Sequence, residues 1–250
     1  MNQTVEKTTP YGESTRKSRQ IEDAFNKIAP HYDFMNRLLS AGIDSSWRRK
    51  AILGLPPSTT SVLDIATGTG DQAFILAGAL PHAEIVAVDF SEVMLTVARK
   101  KAQKKNLNGR ITFLMADGLQ LPFDDNRFDV AVISFGLRNF ENLLEGCKEA
   151  LRTLKPGGEL IILELSRPEK RAWAAAHHLY LTKIMPWLGR LFAGSPDEYR
   201  YLQQSVNCVP QGENMLKLLS DAGFCNCRSE TYTLGACSCY RACKPEKRVI

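Results

Sequence analysis

No uninterrupted apolar run in this 250-residue chain reaches the ~18 residues of a membrane-spanning helix: Ala172 to Leu188, the longest candidate, is broken by His177, His178, Thr182 and Lys183. Met1 to Arg19 is polar and has no apolar core of the kind a secretory leader carries, so it reads as a disordered tail before a single domain over residues 20–250. A concentrated charge patch is also missing. The net charge of +5 is scattered, and its densest run, Arg99 to Lys105, falls in the last turns of a predicted helix, where cations complement the dipole. That excludes an obvious nucleic-acid surface. Five of the seven cysteines crowd between Cys225 and Cys243, yet no C-x2-4-C knuckle is formed, because Cys225/Cys227 and Cys237/Cys239 are one residue apart. No metal is expected, and these cysteines read as small half-buried strand residues.

What is present is a core-forming composition, 44% hydrophobic, organised around one stretch, VLDIATGTGD from Val62 to Asp71. Val62, Leu63 and Ile65 end a strand, Gly68 and Gly70 permit a tight turn, and Asp71 opens a helix through Ala73, Phe74 and Leu76. Backbone amides in such a turn can touch a ligand. Further on, Ile85, Val86 and Val88 form a second strand ending at Asp89, a position suited to a ribose diol. Gly68, Gly70 and Ala73 also satisfy the G-x-G-x-x-A spacing of dinucleotide enzymes, so this loop by itself leaves NAD and S-adenosylmethionine both open.

The rest alternates regularly. Ser91 caps a predicted helix from Glu92 to about Lys105, and Ile111 to Asp117 is a third strand. Phe128 to Phe135 is a fourth, Asn142 to Leu154 a helix, Lys155 to Gly158 a turn, and Glu159 to Leu165 a fifth strand. This order predicts an α/β fold with a Rossmann-like, mostly parallel sheet. A helix near Glu213 to Ala222 and two cysteine-bearing strands, Cys225 to Leu234 and Ala236 to Ala242, add a C-terminal antiparallel hairpin, bringing the sheet to seven strands. Before the first strand, Ile21 to Leu55 has helical periodicity in Phe25, Ile28, Tyr32, Met35, Leu38 and Leu39, then Trp47, Ile52 and Leu53; the pattern favours packing. After Ser166 an aromatic stretch from Trp173 to Phe192, kinked at Pro186, reads as an inserted helical lid over about residues 170–210.

Ligands of open α/β sheets sit outside the carboxyl ends of the strands, so the tips belong together: Asp64 to Gly70, Asp89, Asp117 with Gly118, and Ser134. No lysine or arginine stands at those tips to pair a pyrophosphate. Two carboxylates and a hydroxyl suit a diol, an amino-bearing base and a cation, a description that favours S-adenosylmethionine over NAD. Each residue also has a local role open to it: Asp64 capping loop amides, Asp89 starting the Ser91 turn, Asp117 holding the Gly118 turn, Ser134 satisfying buried backbone.

YDFMNRLLSAGIDSSWRR (Tyr32 to Arg49), VLDIATGTGD, ISFGLRNF (Ile133 to Phe140), LKPGG, ILELSRP (Ile162 to Pro168) and YRYLQQS (Tyr199 to Ser205) together resemble the S-adenosylmethionine-dependent C-methyltransferases of menaquinone and ubiquinone biosynthesis. The glycine loop and LKPGG occur across many methyltransferases, whereas YDFMN together with SFGLRN is specific. The resemblance implies cofactor positions at Thr69, Asp89, Asp117, Gly118 and Ser134. Two departures fall outside that set: Asp44 stands where the family has a histidine, and Tyr240 with Ala242 replaces a histidine-glycine pair, which bears on substrate handling. The resemblance further implies a prenylated quinol as acceptor. Arg138 and Asn139, directly after the Ser134 strand, are then the expected catalytic pair, holding a developing phenolate and a water. The apolar tail of such an acceptor calls for a greasy entrance, with Trp173 to Phe192 as the candidate, and for a cytoplasmic protein in peripheral contact with the inner face of a membrane. A methyltransferase on another small acceptor, an NAD-dependent oxidoreductase, and a homo-oligomeric assembly all stay open.

Overall fold

The computed structural model describes residues 5–11, 16–29, 32–40, 42–168 and 197–246. Five parallel strands come first: β1 (Ser61–Ile65), β2 (Glu84–Asp89), β3 (Ile111–Met115), β4 (Phe128–Ser134) and β5 (Leu154–Leu165). They are followed by β6 (Cys225–Tyr232) and β7 (Cys237–Cys243); β7 lies antiparallel between β5 and β6, and the sheet order is β3-β2-β1-β4-β5-β7-β6. The direction of strand order reverses between β1 and β4, which is where an open α/β sheet opens its ligand crevice.

Side-chain alternation divides the core. Leu63, Ile65, Val86, Val88, Ala131 and Ile133 face one layer, while Val62, Ile85, Ala87, Val130 and Val132 face the other. Asp64 lies on the second face, fully buried. That layer includes α3 (Asp44–Ala51) and α4 (Asp71–Ala79); the first includes α6 (Leu143–Thr153) and α8 (Glu213–Asp221). Helix α5 (Glu92–Lys104) starts as expected, with Ser91 Oγ accepting from Met94 N at 3.2 Å, and Asn142 caps α6 in the same way through Glu145 N at 3.1 Å.

The LKPGG turn is absorbed into β5 as a bulge: Phe128 pairs with Leu154 and Val130 with Glu159, and Gly157 takes φ +77° to make room. The hairpin turn is a 3-10 turn over Thr233–Gly235, longer than the two-residue hinge expected at Leu234-Gly235, with all three residues at positive φ. The five cysteines from Cys225 to Cys243 pack as strand residues. All seven are free, and among the described residues no group could hold a metal ion.

The expected disordered tail, residues 1–19, is described over 5–11 and 16–19, and both parts contact the domain. Val5–Lys7 forms a 3-10 turn with Val5 in the core, and Lys17 opens α1 (Lys17–Ile28) from a buried position. Lys17 Nζ donates to the carbonyls of Val5, Arg138 and Phe140 at 2.8, 3.0 and 3.0 Å. A polar average over nineteen residues hid one valine and one lysine with partners far along the chain. The expected lid, Trp173 to Phe192, lies outside the described residues; α7 (Asp197–Cys208) covers the end of that insertion.

Candidate cofactor and acceptor cleft

The four strand tips converge on one cleft of about 960 Å³, its open mouth included, lined by Thr67, Gly68, Thr69, Asp89, Asp117, Gly118, Ser134 and Asn139 among others. The loop after β1 is tied to β2 by Thr67 N donating to Val88 O at 2.9 Å and by Gly68 N donating to Asp89 Oδ2 at 2.8 Å. Gly68 and Gly70 hold φ of +58° and +87°, which an L side chain rarely adopts. Two non-glycine residues share that strain at the rim: Ala66 at φ +56° and Phe135 at +60°, immediately after β1 and β4. Such outliers gather at ligand sites because surrounding structure must hold them.

Asp89 holds both loops. Its Oδ1 accepts from Ser91 N at 2.9 Å while Oδ2 takes Gly68, and burial pushes its carboxyl up to about 6 despite these donors. Asp117 Oδ1 accepts from Leu119 N at 2.9 Å, keeping the Gly118 turn tight. A Cβ on Gly118 would stand 2.6 Å from Phe140 Cζ, so the glycine lets that ring form the cleft wall. Ser134 Oγ donates to Gln72 Oε1 at 3.1 Å, and Gln72 Nε2 is buried without a partner. Thr69 Oγ1 donates to Asp33 Oδ1 at 2.5 Å, and Lys101 Nζ binds Asp33 and Asp71, each at 2.6 Å. The helix α2 (Tyr32–Leu39) is thereby anchored to the glycine loop.

Two expected site residues are placed elsewhere. Asp64 does not line the cleft; it faces the layer below, where Thr67 Oγ1 donates to its Oδ2 at 2.5 Å, and burial raises its carboxyl to about 7. Arg138 is also behind the wall, with Nη1 bound to Glu164 Oε1 and to Phe135 O, each at 2.6 Å. Burial alone would lower the pKa of this guanidinium, and the Glu164 charge more than offsets that. Asn139 does line the cleft, and its Oδ1 accepts from Tyr201 Oη at 2.9 Å.

Helical periodicity suggested packing for the residues before β1, and Trp47 and Ile52 do pack in the core. Leu53 does not, being 68% exposed. Phe25, Tyr32 and Arg48, however, line the cleft. Tyr32 stacks edge-on against Phe25 at 5.8 Å, and burial raises its phenol. The YDFMN and WRR segments carried the available signal, which helical spacing alone could not separate from core. Of the two departures, Asp44 stands in the first turn of α3 near Arg48, accepting from Ser40 Oγ at 2.8 Å, and Tyr240 Oη accepts from Gly212 N at 3.0 Å beneath the sheet.

A sequence model of the ubiE/COQ5 methyltransferase family matches residues 13–244. The chain is 42% identical to a demethylmenaquinone methyltransferase of Bacteroides fragilis, covering 98% of this chain and all of that protein. It is 42% identical to the protein of that name from Thermus thermophilus, over 88% of this chain, and 37% identical to the ubiquinone/menaquinone biosynthesis C-methyltransferase UbiE of Pseudomonas aeruginosa, over 96% of each. Among solved structures, a SAM-dependent methyltransferase from Aquifex aeolicus superposes with a TM-score of 0.60 at 21% identity, covering 85% of this chain and 97% of that one. One from Thermotoga maritima gives 0.62 at 22%, covering 88% and 98%.

Proposed function

Since the chain belongs to the ubiE/COQ5 methyltransferase family, we propose that it transfers a methyl group to a ring carbon of a prenylated quinol, with demethylmenaquinol as the preferred acceptor. The methyl donor is S-adenosylmethionine, which supplies an electrophilic methyl group on a sulfonium. The cleft fits that group. Asp71, Asp89, Asp117 and Glu141 line it, an excess of carboxylates suited to a cation, and the positive-φ glycines leave backbone exposed where a Cβ would intrude.

A quinol ring carbon becomes nucleophilic as a neighbouring hydroxyl, with a pKa of about 10 in water, loses its proton. Asn139 is on the cleft wall, and its amide can hold the developing phenolate and orient a water toward that proton. Arg138 serves this from behind: bound to Glu164 and to Phe135 O, it fixes the Leu137–Asn139 turn that presents Asn139. Phe140 and Phe135 give the acceptor ring apolar faces to lie against.

The observation that carries this reading is full-length similarity to relatives named for demethylmenaquinone, beside strand tips that meet in one cleft. Among the described residues no helix is long and apolar enough to cross a membrane. A prenyl tail therefore calls for peripheral contact with a bilayer surface, a role assigned here to the Trp173 to Phe192 stretch. The test supplies the purified protein with methyl-labelled S-adenosylmethionine and either demethylmenaquinol or a methoxy-polyprenyl-benzoquinol. Label in the naphthoquinol is expected; label confined to the benzoquinol would reassign the acceptor.

A further inference from the structure

Within the cleft one charge has no adequate partner. Arg48 reaches the wall from α3, is 7% exposed, and stacks its guanidinium 4.8 Å from the centre of the Phe135 ring. Its Nε is buried with no hydrogen-bond partner. Among the described residues its one ion pair is with Asp44 Oδ2 at 3.8 Å, beyond hydrogen-bonding reach, and Asp44 is already engaged by Ser40 Oγ. Asp64, in the layer below, feels the Arg48 charge but makes no hydrogen bond or ion pair with it, and its Oδ2 accepts from Thr67 Oγ1. A buried guanidinium with donors unspent is costly to keep unless something anionic arrives.

The strand order says what that anion is. Asp117 follows β3, Asp89 ends β2, the glycine loop follows β1, and Ser134 and Phe135 end β4, so an extended ligand lying across the tips meets them in that sequence. The acids that suit an adenosine stand at the β3 and β2 end. Arg48, over Phe135, stands at the β4 end, and among the described cleft-lining residues it is the one cation. S-adenosylmethionine has one anionic group, the carboxylate at the end opposite its base. We propose that Arg48 binds the carboxylate of the methionine portion of the methyl donor, its planar fork meeting both oxygens and Phe135 holding the fork flat. This assignment rests on the cofactor reading above and adds a residue that the strand tips do not supply.

Calorimetry with two ligands tests it without any turnover. Decarboxylated S-adenosylmethionine keeps the nucleoside, the sulfonium and the ammonium and lacks only the carboxylate. The wild-type protein should bind S-adenosylmethionine about 10-fold or more tighter than the decarboxylated compound, as expected for a charge-assisted pair. Arg48→Met should bind the two alike, at the level the wild type shows for the decarboxylated one. Arg48→Lys, which keeps the charge and loses the fork, should fall between, and it decides the matter if the methionine variant does not fold. A wild-type protein that binds both ligands equally overturns the assignment, as does a wild-type preference that survives in either variant; loss of turnover alone, with the preference intact, would place Arg48 on the acceptor. Absence of any S-adenosylmethionine binding in the wild type would instead sink the cofactor reading itself.

Discussion

Arg138 Nη1 lies 2.6 Å from Glu164 Oε1, and the two side chains are 7% and 2% exposed. A buried pair of this kind contributes little relative to an apolar substitute, but removing one partner strands the other charge. Arg138→Ala and Glu164→Gln should therefore each lower stability by about 3–5 kcal/mol, read by denaturant unfolding. A loss below about 1 kcal/mol in both would mean that the pair is solvated in solution.

Asn139 separates chemistry from scaffolding. Asn139→Ala should leave S-adenosylmethionine affinity nearly unchanged while lowering single-turnover methylation by roughly 100-fold, the usual scale for losing one donor to a developing oxyanion. Equal losses in binding and turnover would move Asn139 into the cofactor pocket.

Asp89 predicts a pH dependence. Burial raises its folded value to about 6 from the 3.8 of an unfolded chain. Between those values the folded protein holds a proton that the unfolded chain has lost, so this group's contribution to stability is fully present below 3.8 and is lost as pH rises through about 6. Ligand binding has the opposite preference, because a ribose diol and a sulfonium both favour the ionised carboxylate. Affinity for S-adenosylmethionine should fall as pH drops below about 6, with proton release on binding near that pH. Calorimetry in buffers of differing ionisation enthalpy reads the proton directly; binding without release there would show that Asp89 is already ionised in the free protein.

Phe140 is seated between two glycines. A Cβ on Gly146 would fall within the ring's van der Waals envelope, as would one on Gly118. Gly146→Ala should cost about 1–3 kcal/mol of stability and push the ring toward the cleft, weakening cofactor binding. A variant as stable as wild type, with the ring's chemical shifts unmoved, would contradict this packing.

Lys17 ties the N-terminal segment to the turn that presents Asn139. Burial lowers its amine to about 8, with Glu6 and Glu141 partly opposing, and its three carbonyl partners would be left unsatisfied in Lys17→Met. That variant should lose about 1.5–3 kcal/mol, and amide exchange should quicken around Leu137 to Phe140. Exchange that quickens only ahead of Lys17 would confine its role to the N-terminal turn.

Much of this was legible because its causes are local. Alternating apolar residues gave the strands, Ser91 gave a helix start, and the acids Asp89 and Asp117 marked strand ends that topology brings together. Asp64 stands at the head of a tip in sequence, yet it alternates with Leu63 and Ile65 and so points to the opposite layer. The position of Arg138 behind the cleft wall is hidden in the sequence, because nothing near it reveals Glu164, which only the pairing of β4 with β5 sets beside it. Arg48 shares a helix with the core residues Trp47 and Ala51, and a periodicity of 3.6 does not distinguish a cleft wall from a core.

The central claim is methyl transfer to carbon, and the product of one turnover tests it most directly. With a 13C-methyl donor and demethylmenaquinol, the account predicts that the labelled carbon resonates as a methyl group on an aromatic ring, with the donor converted to S-adenosylhomocysteine in equal amount. A labelled methyl ether on the quinol oxygen, or donor left unconsumed beside an acceptor that the protein binds, would contradict it.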